Sequence, residues 1–227
     1  MIWLEECLYC NNFVYHLKDG RLKCSKCLKK TSKEKINKII TLIDAFVENE
    51  SANKLSKRLH ISYLSTQNYF EEFRYICASL SQEEYEIKRH LECEYEEYYY
   101  LHKSKKHIKE AIFDAHNFLT FDYEGHIYTV LLPSLKQYKK QFLEDSIEGV
   151  YVDEFYRFKR ESKIIKVKQR YNNIVEFWEY FEKHILHYKG VKDENFIYFL
   201  KEFEFKYNHT KEEAKELLIQ SYFKEKR

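Results

Sequence analysis

Two short cysteine motifs, Cys7-Leu-Tyr-Cys10 and Cys24-Ser-Lys-Cys27, limit most tightly what the front of this chain can become. Two residues between the cysteines of each pair let both sulfurs face one point, and the turn residues Lys18-Asp19-Gly20 fold the intervening segment back so that the two pairs meet. Four thiolates so placed surround one ion tetrahedrally at about 2.3 Å, the arrangement of a structural zinc ribbon, here over residues 1–31. With cysteine at all four positions no ligand place is left for water, so the metal holds the fold and takes no part in chemistry. The competing arrangement is two disulfides, which a reducing compartment disfavours. Cys77 and Cys93 have no CxxC partner and read as ordinary buried residues.

The rest of the 227-residue chain has enough apolar material, 44% overall and 18% aromatic, for one catalytic-size domain beside one or two small modules. One proline and four glycines leave little room for long linkers. The net charge of +2 predicts no polyanion partner by itself, but the charge is unevenly placed. Lys18, Arg21, Lys23, Lys26, Lys29, Lys30, Lys33, Lys35 and Lys38 face only Asp19 and Glu34, whereas residues 83–97 are mostly acidic. There is no long apolar run and no signal-peptide pattern, so the expectation is a cytoplasmic protein with reduced thiols and no membrane partner. No nucleotide-binding glycine loop and no serine or cysteine nucleophile motif is present.

Residues 32–87 read as a three-helix module. Ser32 can cap a helix running through Val47 whose Ile36, Ile39, Ile40, Ile43, Phe46 and Val47 share a face. A short helix from Ser51, the turn His60-Ile61-Ser62 and a helix from Tyr63 then form a helix-turn-helix pattern. In that shape the last helix offers Tyr63, Ser65, Thr66 and Gln67 to base edges or phosphates of double-stranded DNA, with Lys54, Lys57 and Arg58 beside them for the backbone. A plain helical bundle without a ligand fits the same pattern; the basic cysteine motif just upstream favours the DNA reading.

From residue 88 to 227 strands precede helices, the order of an α+β or α/β domain. Residues 91–100 alternate as a strand does, residues 118–132 read as a hairpin about Asp122-Tyr-Glu-Gly125, and Gly149-Val-Tyr-Val-Asp153 reads as a further strand. Ile174, Phe177, Trp178, Phe181, Ile185 and Tyr188 recur at helical spacing as one buried stripe. Asn172 and Glu182, ten positions apart, fall within about a quarter-turn of each other. Asn172 as helix cap and Glu182 as a solvated acid is the plain interpretation of that pair.

The string NNIVEFWEYFEKHILHYKGVKDENFIYFLKEFEFKYNH nevertheless resembles the C-terminal part of the catalytic domain of bacterial insertion-sequence transposases of the zinc-ribbon group, insertion-sequence family fifteen-ninety-five. Close members read Asn-Gly-Ile-Glu-x-Phe-Trp, then Gly-Val/Ile, then Leu-Lys-Glu-x-Glu-Phe-Arg-Phe-Asn, and the front modules resemble the DNA-binding region of the same group. The resemblance implies a ribonuclease-H-like DDE-type domain over 88–227 that cuts and joins DNA with two Mg²⁺ or Mn²⁺ ions on carboxylates. It also implies terminal inverted repeats as DNA partner and at least a homodimer on DNA. Carried over position by position, the site is Glu96, Asp153, Asn172 and Glu182, Glu96 being chosen between Glu94 and Glu97 by the register that keeps the aromatic end of its strand. Three positions depart from the family pattern: Glu96 stands for aspartate, Val175 for glutamate, and Glu182 for lysine. Two readings follow, an active transposase, or a catalytically decayed or repurposed relative that keeps only DNA binding.

Overall fold

The computed structural model describes residues 5–101, 105, 113–134, 136, 172–188 and 191–226. Among these, six α-helices and two three-stranded antiparallel sheets fall into two units, one of Met1–Glu86 with Leu186–Arg227 and one of Ile87–Ile185.

In the first unit, β1 (Val14–His16), β2 (Arg21–Cys24) and β3 (Lys30–Ser32) pair in that order. Gly20, at φ +80°, makes the turn between β1 and β2, and Asp19 steadies it by accepting from the Arg21 backbone N–H at 3.0 Å. Helix α1 (Lys33–Val47) starts where Ser32 accepts from the Lys35 N–H at 3.1 Å, as its sequence position predicts. Helix α2 (Ala52–Leu59) ends at His60, which takes the left-handed conformation (φ 53°), and α3 (Tyr63–Lys88) begins three residues later.

The helices that close this core come from the far end of the sequence. After a 3₁₀ turn at Asp193–Asn195, α5 (Phe196–Asn208) and α6 (Lys211–Glu225) place Phe205, Leu218 and Phe223 in one cluster with Leu22, Ile36, Phe46 and Phe73. Tyr9 of the cysteine segment packs edge-on against Phe223 at 5.3 Å. The sequence expectation put residues 186–227 with the strands beginning at 88; the structure places them in the first unit. The reason is chemical. Lys201, Glu202, Phe203, Glu204, Phe205 and Lys206 are all buried, and the charged ones find their partners here. Glu202, fully buried, accepts from Arg74 Nε at 2.7 Å and from Lys206 Nζ at 2.5 Å. Lys206 spends its other two N–H bonds on the Phe46 carbonyl (2.6 Å) and Asn49 Oδ1 (2.9 Å), so all three of its donors are used. Lys201 reaches both oxygens of Glu204, at 2.8 and 2.9 Å.

Burial by itself would raise the Glu202 carboxyl and lower the Lys206 ammonium, and it does lower Lys206. Glu202 has two cations upon it, Lys206 and Arg74, and together they hold it below the usual carboxylate range.

In the second unit β4 (Glu94–Tyr100), β5 (His116–Tyr123) and β6 (His126–Leu131) form an antiparallel meander. The expected hairpin turn falls at Glu124–Gly125, both at positive φ, with Asp122 Oδ1 accepting from the Gly125 N–H at 2.7 Å. Helix α4 (Asn173–Ile185) buries Ile174, Phe177, Trp178, Phe181 and Ile185, as its periodicity predicts. Tyr188 does not extend that stripe: α4 has ended, and the tyrosine packs on Phe199 and Phe203 of α5 at 5.0 and 5.9 Å. Cys77 is buried, as expected, but Cys93 is exposed because it precedes β4 in a segment without core contacts.

Lys206→Met, which removes the cation nearest the buried Glu202 carboxylate and the ammonium donor to the Phe46 carbonyl and Asn49, is expected to lower the unfolding free energy by about 3 kcal/mol or more in urea titration. Since the folded Glu202 pKa lies below its unfolded value, its contribution is complete above about pH 4.3 and is lost as pH falls through the folded pKa. An acid titration of stability should show that loss in wild type and much less of it in Glu202→Gln.

Candidate functional site

The sulfurs of Cys7, Cys10, Cys24 and Cys27 all lie within 4.8 Å of one another. Cys7 Sγ is 3.7 Å from Cys27 Sγ, and Cys10 Sγ is 3.4 Å from Cys24 Sγ. A disulfide would need about 2.05 Å, whereas a tetrahedron with metal–sulfur bonds of about 2.3 Å has edges near 3.8 Å. Four cysteines in this zinc-ribbon-like cluster could therefore hold a metal such as zinc. Local backbone supports the thiolate form: the N–H groups of Lys26 and Cys27 reach Cys24 Sγ at 3.3 and 3.4 Å. Burial opposes them, yet Cys24 is lowered to about 6, while burial pushes the Cys7 thiol up to about 12. Among the described residues this quartet is the one group of three or more histidine, cysteine or acidic side chains placed to share a metal ion.

On the helix pair of the same unit, Lys54, Lys57, Arg58, Tyr63, Ser65 and Gln67 are exposed. Arg58 is tied to Glu50 at 2.7 Å, and Gln67 Nε2 donates to the Tyr63 hydroxyl at 2.8 Å. Thr66 differs from the sequence expectation. It is fully buried, and its hydroxyl donates to the Ser62 carbonyl at 3.1 Å, as a threonine on the inner side of a first helical turn does. It is not available to a ligand.

In the second unit the predicted acids separate into two groups. Glu96 on β4 and Asn172 at the start of α4, 76 residues apart in sequence, meet through Asn172 Nδ2 donating to Glu96 Oε1 at 3.0 Å. Asn172 Oδ1 at the same time accepts from the Val175 N–H at 3.0 Å, so the residue is both the helix cap and a clamp on the strand. Strand alternation places Glu96 on the α4 side with Tyr98 and Tyr100, whereas Glu97 on the other face accepts from the Tyr99 hydroxyl at 2.6 Å. Of the neighbouring acids, Glu96 is the one joined to Asn172.

Glu182 stands about 15 Å of helix rise from Asn172, and its carboxylate accepts the Tyr98 hydroxyl. The Tyr98 ring lies flat against Trp178, centroids 3.9 Å apart, and Trp178 Nε1 donates to the buried Thr120 hydroxyl at 3.0 Å. Desolvation, reinforced by Glu182, pushes the Tyr98 phenol well up, so it stays a donor at any ordinary pH. Sequence reasoning missed Tyr98 and Thr120 and placed Trp178 only in the buried stripe; the two-residue spacing from Glu96 to Tyr98 was the available signal. Asp153 lies outside the described residues, as do its strand and most of the basic segment 102–109.

The chain matches no protein-family profile, no curated protein and no solved structure. No helix among the described residues is long and apolar enough to cross a membrane.

Purified from cells grown with zinc, the chain is expected to carry one metal ion, measured by elemental analysis, and Cys24→Ser should lose it. Because Cys7, Val14 and Leu22 belong to the same core as α1, α3, α5 and α6, chelation should lower the melting temperature of that whole unit and not of the cysteine segment alone. Separately, Tyr98→Phe leaves the Glu182 carboxylate without its partly buried donor and should cost about 1–3 kcal/mol in chemical denaturation.

Proposed function

We propose that this protein is a DNA-processing protein of the transposase type. Its first unit engages duplex DNA, and its second carries a phosphodiester-cleaving site built on Glu96, Asn172 and Asp153. The observation that carries the proposal is the 3.0 Å contact between Asn172 and Glu96. Strand and helix residues far apart in sequence put a carboxylate and an amide at one rim of an antiparallel meander backed by a helix. The resemblance to insertion-sequence transposases assigns both residues to one site, which supports this reading. The carboxylate of Glu96 is a hard oxygen donor of the kind Mg²⁺ or Mn²⁺ takes, and Asn172 orients it. Two such ions would supply activation of the attacking oxygen and charge stabilisation at the leaving one. The chain's own residues fix the carboxylate and, with a helix start beside it, favour negative charge there.

In the first unit the cysteine cluster, taken as a zinc ribbon, and the α2–α3 pair, taken as a helix-turn-helix, form the DNA-binding face. Tyr63, Ser65 and Gln67 meet base edges, and Lys54 and Lys57 meet phosphates. Glu182 has another role in this reading. Its carboxylate completes the Tyr98–Trp178 packing and is not a metal ligand.

The second reading is the decayed or repurposed relative that binds DNA without cutting it. The engagement of Glu182 by Tyr98 and of Asn172 Oδ1 by the helix start favours it, since both groups already serve the fold.

An oligonucleotide bearing the repeats that flank the gene should be nicked in Mg²⁺ or Mn²⁺ by wild type. It should not be nicked by Asp153→Asn or Glu96→Gln, with binding kept in both. Equal behaviour of wild type and Asp153→Asn would leave the binding-only reading. Duplex affinity should fall steeply between 50 and 200 mM salt, as lysine–phosphate contacts do by releasing counterions; an interaction insensitive to salt would count against DNA as the partner.

A further inference from the structure

In the first unit a cleft of about 690 Å³ runs along α3 and is lined on its far side by residues that include Tyr188, Lys192, Asn195, Tyr198 and Phe199. Tyr63, Gln67, Arg74 and Tyr75 stand on the α3 wall, Asn53 at one end, and Tyr188, Asn195, Tyr198 and Phe199 opposite. We infer that this cleft binds an unpaired nucleobase, presented by a single strand of nucleic acid or as a free nucleoside. The inference rests on the nucleic-acid reading above but concerns a different ligand form, and it is tested at Tyr75 and Tyr198, which that reading does not use.

Three features of the lining select that chemistry. Rings face water within it: Tyr63 is 50% exposed and Tyr75 is 44% exposed, the latter edge-on to Tyr198 with centroids 4.6 Å apart. Such surfaces are stacking platforms for a flat ring. Amide side chains at Asn53, Gln67, Asn68 and Asn195 offer donors and acceptors together, the mixture found along the edge of a base.

The Arg74 and Glu71 charges in the cleft are already engaged. The Arg74 guanidinium is held by Glu202 at 2.7 Å and lies 3.9 Å over the Phe199 ring, and Glu71 accepts the Tyr75 hydroxyl at 2.9 Å. Arg74 is thus committed to Glu202 and gives a compact anion a poor anchor. A neutral planar group that hydrogen-bonds both ways is what the lining takes. The volume is that of a small-ligand site. A duplex receives a helix into its own major groove, about 12 Å wide, and does not enter a cleft of this size, whereas a base splayed from a single strand does. Exposed Lys192 on the far wall, paired only at 3.5 Å with Glu194, is placed for the strand's phosphates.

The test uses the full zinc-loaded chain and measures fluorescence anisotropy of a labelled twelve-nucleotide thymidine strand beside that of a labelled duplex. Tyr75→Ala and Tyr198→Leu should each weaken the strand by about tenfold, the loss of one stacked base, and leave the duplex within about twofold. Tyr75→Trp, which keeps a stacking face, should retain strand binding and shows that the alanine effect is not misfolding. Displacement of the strand by millimolar thymidine would identify the isolated base as sufficient; displacement only by another strand would assign the site to polynucleotide. Duplex binding with no strand binding, or strand binding untouched by both tyrosine variants, overturns the cleft inference and spares the duplex proposal. Strand binding that depends on the tyrosines, with no duplex binding, overturns the duplex proposal and keeps the cleft. Binding to neither overturns both.

Discussion

A carboxylate with no exposure to solvent, Glu202, organises the first unit. An ionised group in that position is tolerable only with its oxygens fully engaged, and here Arg74 comes from α3 and Lys206 from the next turn of α5. Lys206 in turn fastens α5 to the end of α1 through the Phe46 carbonyl and Asn49. Two rings, Phe199 and Phe46, lie 3.9 Å from the Arg74 and Lys206 cations and fill the space around them. Ion pairs of this kind give little net stability against a hydrophobic substitute, but they are unforgiving of wrong partners. Any other docking of α5 would bury Glu202 without Arg74, leaving one carboxylate oxygen unmatched at a cost of several kcal/mol. The same contacts build the α3-side cleft, since Arg74 and Tyr188 belong both to the network and to its wall.

The second unit uses a different device. One side of β4 carries Glu96, Tyr98 and Tyr100 at two-residue spacing, and α4 answers each in turn: Asn172 to Glu96, Trp178 and Glu182 to Tyr98, and Phe181 to Tyr100 at 5.5 Å. The helix is thereby set in register against the strand by polar contacts at both ends and aromatic stacking between them. The Asn172–Glu96 end lies at the start of the helix, where the helix dipole favours negative charge.

Much of this was legible in the residues themselves. The cysteine spacing, the Ser32 cap, the turn after α2 and the Glu124–Gly125 hairpin are local signals, each settled by a few neighbouring residues, and each appears where the pattern places it. The stripe on α4 was readable for the same reason. The destination of α5 was not. LKEFEFKYN alternates charge with phenylalanine, so periodicity assigns its lysines and glutamates to solvent; the burial of Glu202 and Lys206 depends on partners far off in sequence, Arg74 128 residues away and the Phe46 carbonyl 160. Thr66 illustrates the same limit on a small scale, because facing inward or outward on the first turn of α3 depends on how α3 rolls against its neighbours. Of the candidate residues, Glu96 and Asn172 shared a site only through the resemblance, and their 3.0 Å contact, like the use of Glu182 by Tyr98, required the strand and helix to be seen together.

The central claim is that the far end of the chain completes the same cooperative body as the cysteine cluster and helices α1–α3. Hydrogen exchange of the full chain, with metal bound and after chelation, addresses it directly. Chelation is expected to strip protection from the amides of α5 and α6 together with those of α1 and α3, while β4, β5 and β6 keep theirs. If α5 and α6 stayed protected with the strands while α1 and α3 opened, the claim would be contradicted.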